Sequence, residues 1–375
     1  MAGIYIHIPF CKTRCIYCGF YSTTYNDIQS RYVDAVLKEL ELRSDYINEP
    51  IETIYLGGGT PSQLHFDLIE KLISNLTSSS DVARHCKEIT IECNPDDVND
   101  ELAALFRRLG VNRISMGVQT FSDERLRFIR RRHTAEQAHK AVDTLRKAGI
   151  KNISIDLIFG FPDETMDEWI GDIDTAISLG VEHISAYSLM YEEGTPLFRL
   201  LQEGRVKEID EELYRQMYDT LIDRLAGYEQ YEISNFAKLN IQSPKFNTQT
   251  SKSKIQSLYR SQHNSSYWQN IPYIGIGAAA HSYGNGKRSW NVADIEAYIT
   301  AIQKNRLPSE EEIIDADTHY NDIIMTALRT CEGIDLSILP AEYRTYLIHL
   351  ARPFQQQGLL KEDNGKLHLT RNGIY

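Results

Sequence analysis

Close to its amino terminus the chain reads Tyr5-Ile-His-Ile-Pro-Phe-Cys11-Lys-Thr-Arg-Cys15-Ile-Tyr-Cys18. This segment continues the first apolar run and places three thiols within eight residues, close enough to turn toward one centre. Structural zinc normally takes four protein ligands, and cubane iron–sulfur clusters usually take four thiolates. Because no fourth thiol lies nearby, Cys11, Cys15 and Cys18 predict a [4Fe–4S] cluster with one iron open to an exogenous ligand.

The main alternative for the same residues is a zinc site of the Cys3His type, with His7 or a distant histidine as the fourth ligand. Thiolate and imidazole are both common zinc ligands, so the triplet alone leaves this alternative open. Further motifs that follow the triplet in order along the chain favour the cluster.

Apolar runs of strand length alternate with amphipathic stretches over the first half of the chain. The predicted strands are Ile4–Ile8, Ile51–Leu56, Glu88–Cys93, Val111–Val118, Lys151–Phe159 and Val181–Leu189. The predicted helices include Ile28–Tyr46 and Thr134–Ala148, and the second of these stops at Gly149. Repeated strand–helix units predict an α/β fold with right-handed crossovers and a parallel sheet. Six units are too few for an eightfold barrel, so we expect a partial (β/α)6 barrel.

The organisation of the chain predicts three regions, at residues 1–230, 231–310 and 311–375. The first is the partial barrel. The second is a connecting region, and its polar segment Lys238–Ser261 is expected to be a mobile surface loop. The third has two amphipathic segments, Tyr320–Thr330 and Glu342–Gly358, followed by two short strands that turn at Asn364-Gly365. This last pattern predicts a small C-terminal accessory domain that is winged-helix-like.

The composition is that of an ordinary globular protein, with 42% hydrophobic and 25% charged residues in 375. A net charge of −12 argues against a nucleic-acid partner, which would require a basic surface. Thiolates that bind a cluster require a reducing compartment. No apolar run reaches about 18 residues, and the amino terminus carries no basic, signal-like region, so we expect a cytoplasmic location.

The spacing of the three cysteines resembles the cluster motif of radical S-adenosylmethionine (SAM) enzymes, in which SAM fills the open iron site. The segment Gly57-Gly58-Gly59-Thr60-Pro61 follows the second predicted strand and looks like the loop that cradles the amino end of SAM. The SAM contacts that the resemblance implies in these two segments are Tyr5, Tyr17, Gly58, Gly59 and Thr60. A tight strand–helix turn also requires glycine, so a glycine run by itself leaves both interpretations open.

Four residues further along the chain match SAM contacts of the same enzymes. Glu92 ends the third strand, where an anionic side chain suits the ammonium and sulfonium groups of SAM, and Gln119 ends the fourth. Arg131 matches an arginine directed at the SAM carboxylate, which a planar guanidinium binds well. Asp156 lies in an apolar strand, where an unpaired carboxylate is costly, and matches a contact to the ribose.

The likeness extends over nearly the whole chain and points to the coproporphyrinogen III oxidase-like branch of the radical SAM superfamily. True oxidases carry a further cysteine two residues after the third cluster cysteine, and this chain has Phe20 there. His263-Asn-Ser-Ser-Tyr267-Trp268 instead matches the His-Asn-x-x-Tyr-Trp signature of heme chaperones. The match implies that His263 ligates heme iron while Tyr267 and Trp268 stack on the macrocycle. The alternative for His263 is a buried histidine that its neighbours satisfy.

Two departures from the branch concern the region around this motif. The polar segment before His263 looks longer than is usual, and the stretch Gly275–His281 has alanine where relatives often carry Pro-Gly. His281 is a second candidate heme ligand.

The resemblance implies a protein that binds a [4Fe–4S] cluster, SAM and heme, and that transfers heme to an acceptor protein. The sequence does not identify the acceptor, and contact with membrane-associated acceptors is a further implication. Two enzymatic alternatives stay open: oxidative decarboxylation of coproporphyrinogen III, and radical SAM chemistry on an unrelated small molecule. Phe20 and the His263 motif favour the chaperone over the oxidase.

We expect anaerobic reconstitution with iron and sulfide to give about four irons per chain. Replacement of one ligand, Cys15→Ala, is expected to abolish the visible absorbance of the cluster, whereas Cys86→Ala leaves it unchanged. Iron and sulfide analysis together with absorbance spectroscopy measures this. Tight retention of zinc without uptake of iron would contradict the prediction.

Overall fold

Six parallel strands occupy the first half of the computed structural model, which describes residues 2–46, 49–78, 80–239 and 257–375. These strands are β1 (Ala2–Ile8), β2 (Ile51–Gly58), β3 (Glu88–Cys93), β4 (Arg113–Gln119), β5 (Asn152–Phe159) and β6 (His183–Ser188). They pair in chain order, each parallel to the next. The six predicted strands and the partial (β/α)6 barrel are therefore confirmed.

Helices cover one face of these strands. They are α1 (Gln29–Leu42), α2 (Phe66–Thr77), α3 (Ser80–His85), α4 (Asp100–Arg108), α5 (Asp123–Phe128), α6 (Ala135–Lys147), α7 (Met166–Ser178), α8 (Pro196–Gln202) and α9 (Glu211–Arg224). The bounds of α6 follow from its sequence, because Thr134 and Gln137 form a reciprocal capping box at its start. Gly149, with a φ of 88°, directly follows its last turn.

The sheet extends beyond the barrel strands on both sides. On one side lie β7 (Tyr228–Glu232) and β8 (Asn235–Lys238), and on the other lie β9 (Tyr273–Ile276), β10 (His281–Gly284), β11 (Lys287–Asn291) and β12 (Ser309–Ile313). The order across the sheet is β12-β11-β10-β9-β1-β2-β3-β4-β5-β6-β8-β7. Helices α10 (Gln262–Trp268) and α11 (Ile295–Gln303) complete this part. The region 231–310, predicted as a connector, thus contributes strands to the main sheet.

The edge strand β12 is strongly acidic. Its sequence is Ser-Glu-Glu-Glu-Ile, and Glu310, Glu311 and Glu312 are all exposed. Among the residues that the structure describes, β12 pairs with β11 alone, on its inner side. The opposite edge of the sheet, β7, forms a bridge from Glu232 to Thr330 in the C-terminal part of the chain.

A buried carboxylate joins α1 to the added strands. Glu39 accepts hydrogen bonds from Tyr298 Oη at 2.6 Å, Asn291 Nδ2 at 2.8 Å and the Gly277 amide at 2.9 Å. Its carboxylate also lies 3.1 Å from Nε of Arg43, and both side chains are at most 4% exposed. Burial raises the pKa of Glu39, which the Arg43 charge opposes. This network fixes β9, β11 and α11 against the barrel.

The C-terminal part forms a second, smaller core. It contains α12 (Ala316–Ala327), β13 (Ile334–Asp335), α13 (Ala341–Gln356), β14 (Leu360–Asp363) and β15 (Lys366–Leu369). The β14–β15 hairpin turns at Asn364 and Gly365, whose φ values of 52° and 74° are those of a type I′ turn. Two helices and a hairpin around a core that includes Ile334, Leu347 and Leu367 confirm the predicted accessory domain.

One prediction falls on residues that the structure does not describe. Residues 240–256 of the polar segment Lys238–Ser261 lie outside the described ranges. Among the helices in those ranges, none has the length and apolar character that a membrane span needs.

We expect Glu39→Ala to lower the free energy of unfolding of the barrel by about 3–5 kcal/mol, because it leaves Arg43 buried without its partner. Urea unfolding followed by circular dichroism measures this. The matched control is Arg31→Ala, since Arg31 also joins α1 to α11, through Glu296 at 3.0 Å, but both side chains are about half exposed. Loss of this exposed ion pair is expected to lower the free energy of unfolding by only about 0.2–1 kcal/mol. Equal losses for the two variants would contradict the assignment of Glu39 as the anchor.

Candidate functional site

The loops that follow the parallel strands meet at one end of the barrel. The register pairs Ile8 of β1 with Gly58 of β2, so the cysteine loop begins beside the glycine loop. Cys93 at the end of β3 pairs with Met116 of β4. Because the carboxyl ends of parallel strands share one edge, four predicted segments come together there.

The three cysteines of the first loop are free, partly exposed thiols. Their charges affect one another: Cys15 raises the pKa of both Cys11 and Cys18, although burial is the larger cause. Arg131 opposes this shift at Cys11 by supplying positive charge. Three neighbouring thiols beside a guanidinium are a donor set that fits a cluster held by three thiolates.

His7 is already engaged by its neighbours. Its Nδ1 lies 3.0 Å from the Tyr5 hydroxyl, and its Nε2 lies 3.0 Å from the carbonyl oxygen of Tyr21. Burial also lowers the pKa of His7. A Cys3His zinc site that used His7 would have to break one of these hydrogen bonds, which weakens that alternative.

The glycines of the second loop allow the cysteine loop to approach closely. A Cβ on Gly59 would lie 2.8 Å from the backbone of Pro9, and one on Gly58 would lie 2.5 Å from the His7 ring. Gly58 also has a φ of 111°, which residues with side chains rarely adopt. Thr60 reaches the cluster loop, with Oγ1 3.6 Å from Sγ of Cys11. Close packing against β1 and the residues that follow it is therefore sufficient to explain Gly58 and Gly59.

Glu92 points into the barrel beside the glycine loop. Its Oε1 accepts from the Tyr55 hydroxyl at 2.8 Å, and its Oε2 accepts from the Gly58 amide at 3.0 Å. Burial raises the pKa of Glu92 to about 7, and the charge of Asp156 adds to the rise. A positively charged ligand would stabilise a buried carboxyl group with a raised pKa, because a nearby cation favours its ionised form.

Asp156 faces the same interior from β5. Its Oδ1 lies 3.4 Å from the Ser115 hydroxyl, and burial raises its pKa to about 6. The charge of Arg131 opposes this rise. Glu92 and Asp156 therefore form a pair of interacting, buried carboxyl groups with raised pKa values, which is typical of a ligand site.

Arg131 lies between the carboxyl groups and the thiols. Its Nη1 donates to Asn94 Oδ1 at 2.6 Å, whereas its buried Nε has no partner among the described residues. A side chain on Gly117 would collide with the guanidinium of Arg131, so a glycine at this position leaves the space that Arg131 needs. A buried arginine with an unpaired donor is suited to an incoming carboxylate.

The remaining predicted SAM contacts are Tyr5, Tyr17 and Gln119. Tyr5 lies on β1 and Tyr17 within the cysteine loop, and burial raises the pKa of both hydroxyls. Gln119 ends β4 with a φ of 69°, a conformation that costs free energy in a residue with a side chain. Most of the predicted SAM residues therefore lie toward the end of the barrel that holds the thiols, whereas Tyr5, in the middle of β1, stacks on His263 at 6.4 Å.

Sequence reasoning missed several polar residues that contact the predicted SAM residues. Tyr55 supports Glu92, Asn94 holds Arg131, and Ser115 and Ser185 adjoin Asp156. The alternation of side chains along β2 could have predicted a role for Tyr55, because Tyr55 lies on the same face of the strand as Gly57 of the glycine loop. The contact between Asn94 and Arg131 joins positions 37 apart in sequence, and no local pattern indicates it.

The His263 motif lies at the other end of the barrel. His263 is on α10 and is 1% exposed, and its ring lies 2.9 Å from where a Cβ on Gly3 would be. Gly3 is the second residue of β1, and Oγ1 of Thr53, near the start of β2, lies 2.8 Å from Nδ1 of the imidazole. The amino-terminal ends of these strands are opposite to the thiols. The Tyr55 ring nevertheless stacks on the His263 imidazole at 5.2 Å while its hydroxyl binds Glu92, so a single side chain separates the two predicted sites.

The imidazole of His263 is neutral, and each of its nitrogens already has a hydrogen-bond partner. Burial lowers its pKa to about 3. Nε2 lies 2.8 Å from the Tyr267 hydroxyl, and the ring stacks on that of Tyr55 at 5.2 Å. A neutral imidazole keeps the lone pair that a metal requires, but Tyr267 must move before Nε2 can reach an iron.

Tyr267 and Trp268 line a pocket of about 220 Å³ beside α10. Its other lining residues include Tyr273 and Tyr283, whose rings stack at 6.4 Å, and Arg288. Arg288 is bound to Asp322 of α12 at 2.7 Å. Aromatic walls with an arginine suit a flat ligand that carries carboxylates.

Comparison with known proteins agrees with this architecture. The radical SAM superfamily model matches residues 5–176, and the model of the HemN C-terminal domain matches residues 314–375. The coproporphyrinogen III oxidase (HemN) of Escherichia coli has the same fold, with a TM-score of 0.79 at 20% identity over 100% of this chain and 87% of that one. The chain is thus a radical SAM protein with a HemN-type C-terminal domain.

Similarity to curated proteins defines the family more closely. The heme chaperone HemW of Bacillus subtilis is 33% identical over 100% of this chain and 96% of its own length. HemW of Lactococcus lactis is 32% identical over 99% of this chain and 93% of its own length. The chain belongs to the heme chaperone HemW family, and membership of the radical SAM superfamily implies a [4Fe–4S] cluster and SAM.

We expect affinity for SAM to fall by about tenfold between pH 8 and pH 6, because Glu92, with a pKa of about 7, becomes protonated and loses its attraction for positive charge. Protonation of Asp156 near pH 6 extends the loss. Glu92→Gln is expected to bind SAM more weakly at pH 8 and to show a flatter profile. Equilibrium dialysis of the reconstituted protein measures both.

The control for this experiment is the absorbance of the cluster, recorded at each pH to verify that the metal site is intact. A Glu92→Gln profile as steep as that of the wild type would show that another group titrates.

Proposed function

We propose that this protein is a heme chaperone, which binds a [4Fe–4S] cluster, SAM and heme and passes heme to an acceptor protein. The observation that carries the proposal is the His263 motif, a neutral imidazole next to a pocket with tyrosine and tryptophan walls. Identity of about one third with HemW proteins over the full chain supports it.

The cluster would be held by Cys11, Cys15 and Cys18 in the loop after β1. Arg131 would help to stabilise the thiolates, because burial raises the pKa of Cys11 and the charge of Arg131 opposes this rise. When bound, the cluster supplies an electron that can cleave SAM reductively. The thiols leave one iron without a protein ligand, as the resemblance to radical SAM enzymes implies.

SAM would lie between the cysteine loop and the interior carboxyl groups. Arg131 has a free Nε for the carboxylate of SAM, and Glu92 offsets the charge of its ammonium and sulfonium groups. Asp156 would accept hydrogen bonds from the ribose hydroxyls. Each of these side chains is held by a neighbour, so the site is organised before a ligand arrives.

Heme would bind at α10, at the opposite end of the barrel. Thr53 holds Nδ1 of His263, which leaves Nε2 as the atom available for iron once the Tyr267 hydroxyl moves away. Trp268 and Tyr267 would then flank the macrocycle. Because Tyr267 competes with iron for Nε2, the histidine bond to heme is weakened, which suits a protein that must release its cargo.

The competing function is oxidative decarboxylation of coproporphyrinogen III. The likeness to HemN shows a common fold and carries no argument for its reaction. Phe20, 69% exposed at the rim of the cluster loop, stands where the true oxidases are expected to have cysteine. An anaerobic assay with coproporphyrinogen III distinguishes the two functions. Turnover to protoporphyrinogen would contradict the chaperone proposal and support the oxidase.

We expect hemin to bind the wild type with a Soret band that is displaced in His263→Ala, which binds more weakly because an iron–nitrogen bond is lost. Tyr267→Phe frees Nε2 from its hydrogen bond, so its hemin affinity is expected to rise by about two- to tenfold. Spectrophotometric hemin titration of the three proteins measures both effects.

The control is the cluster absorbance, which we expect to be unchanged because α10 contains no cluster ligand. Wild-type spectrum and affinity in His263→Ala would place the ligand elsewhere, with His281 the next residue to test. Unfolding of His263→Ala, seen by circular dichroism, would show that its role is structural.

A further inference from the structure

We propose that Asp97 is a positioning residue for the cluster and SAM, because its carboxylate binds the three chain segments that would hold these ligands. The segments are the cysteine loop after β1, the end of the glycine loop after β2, and the stretch between α5 and α6 that contains Arg131, named here the arginine segment. The proposal rests on the proposed function for the roles of the cysteines and of the SAM residues, and it is independent of heme.

Asp97 lies in a short turn that follows β3. Residues Pro95–Asp97 form a single turn of 3-10 helix, and the Asp97 amide donates to the carbonyl oxygen of Asn94 at 3.1 Å. The turn stands at the carboxyl end of the parallel strands, which is also where the cysteine and glycine loops begin. The side chain of Asp97 is only 3% exposed. A carboxylate that is buried to this extent requires partners for both of its oxygens.

One oxygen of Asp97 binds the end of the glycine loop. Oδ2 accepts from the Ser62 hydroxyl at 2.7 Å and also from Nε2 of Gln63. Asn94 in the same turn adds to this contact: its backbone amide donates to Ser62 Oγ and its Nδ2 donates to Thr60 Oγ1, both at 3.4 Å. The turn therefore holds the part of the glycine loop that includes Thr60, a predicted contact of SAM.

The other oxygen of Asp97 binds one cation from each of the two remaining segments. Oδ1 lies 3.3 Å from Nζ of Lys12, which belongs to the cysteine loop. The same oxygen lies 3.3 Å from Nη2 of Arg132, the neighbour of Arg131 in the arginine segment. Asp96 pairs with this nitrogen as well, so two consecutive carboxylates of the turn hold Arg132.

The turn therefore sets the distances between groups that would contact the cluster and SAM. Asn94 accepts from Arg131 Nη1 at 2.6 Å, so the two consecutive arginines are both held by this turn. None of the side chains that bind Asp97 is itself a predicted ligand of the cluster or of SAM, so Asp97 acts through the segments that it joins. Residues that orient metal ligands from behind commonly change metal affinity by about 10- to 100-fold.

The test is Asp97→Asn in the reconstituted protein. Asparagine has the same size but one acceptor oxygen and no charge, so it cannot serve both the glycine loop and the two cations. We expect affinity for SAM, measured by equilibrium dialysis per cluster, to fall by about 10- to 100-fold. We also expect iron to pass to a chelator about tenfold faster in the absence of SAM, because the cysteine loop has lost its anchor. Wild-type values in both measurements would overturn the proposal.

Glu232→Gln is the matched control. Glu232 is also a buried carboxylate with several partners: Oε1 accepts from Arg329 Nη2 at 2.8 Å, and Oε2 accepts from Asn235 Nδ2 at 2.6 Å. It lies in β7, outside the three segments. Both variants are expected to lower the midpoint of thermal unfolding, but only Asp97→Asn is expected to change SAM affinity and iron release. Equal changes in the two variants would show a general loss of stability and overturn the positioning role.

Two further variants each remove one contact of Asp97 and keep the proposal testable if Asp97→Asn does not fold. Lys12→Met frees the cysteine loop and is expected to speed iron release by about two- to tenfold. Ser62→Ala frees the end of the glycine loop and is expected to weaken SAM binding by a similar factor. In the double variant Lys12→Met with Asp97→Asn, iron release is expected to be no faster than in Asp97→Asn, because both changes remove one contact. Wild-type behaviour of both single variants would overturn the proposal.

These measurements separate the role of Asp97 from the chaperone function. No hemin is added, so a protein that fails to bind or transfer heme gives the same results for Asp97→Asn. If the wild type binds no SAM, the proposed SAM site fails, and iron release alone decides the role of Asp97. If the wild type binds SAM and Asp97→Asn matches it in both measurements, the positioning role fails alone.

Discussion

The register of β1 against β2 is the constraint on which the candidate site depends. Ile8 lies beside Gly58, and the backbone after β1 passes so close to Gly59 that a side chain there would collide with Pro9. This contact fixes where the cysteine loop leaves the sheet, and therefore where the thiols lie relative to the interior carboxyl groups. A larger residue in the glycine loop would displace the thiols as a group.

Polar groups inside the barrel are tolerated because each has a partner at hand. Glu92 is hydrogen-bonded to Tyr55, Arg131 to Asn94, and Asp156 to the Ser115 hydroxyl. The raised pKa values of the two carboxyl groups show that these partners only partly compensate for burial. A cationic ligand beside these carboxyl groups would compensate for the rest of this cost, so its binding is expected to stabilise the fold.

The sequence was sufficient for the barrel strands and the cysteine loop, because both follow from short-range patterns: apolar runs in one case, thiol spacing in the other. It was not sufficient for β10, β11 and β12, which are four or five residues long and rich in polar side chains, such as Lys287-Arg-Ser-Trp-Asn. Nor could it place His263 opposite the thiols, since that depends on Thr53, 210 positions away.

A barrel that does not close has two edge strands, here β12 and β7. The negative charge of β12 protects one of these edges from pairing with another strand. Three consecutive glutamates stand on this edge, so a second strand that added there would bring its own glutamates against them if it came from another copy of the chain. Repulsion of this kind disfavours edge-to-edge polymerisation. An open barrel can therefore remain accessible to ligands without becoming a template for aggregation.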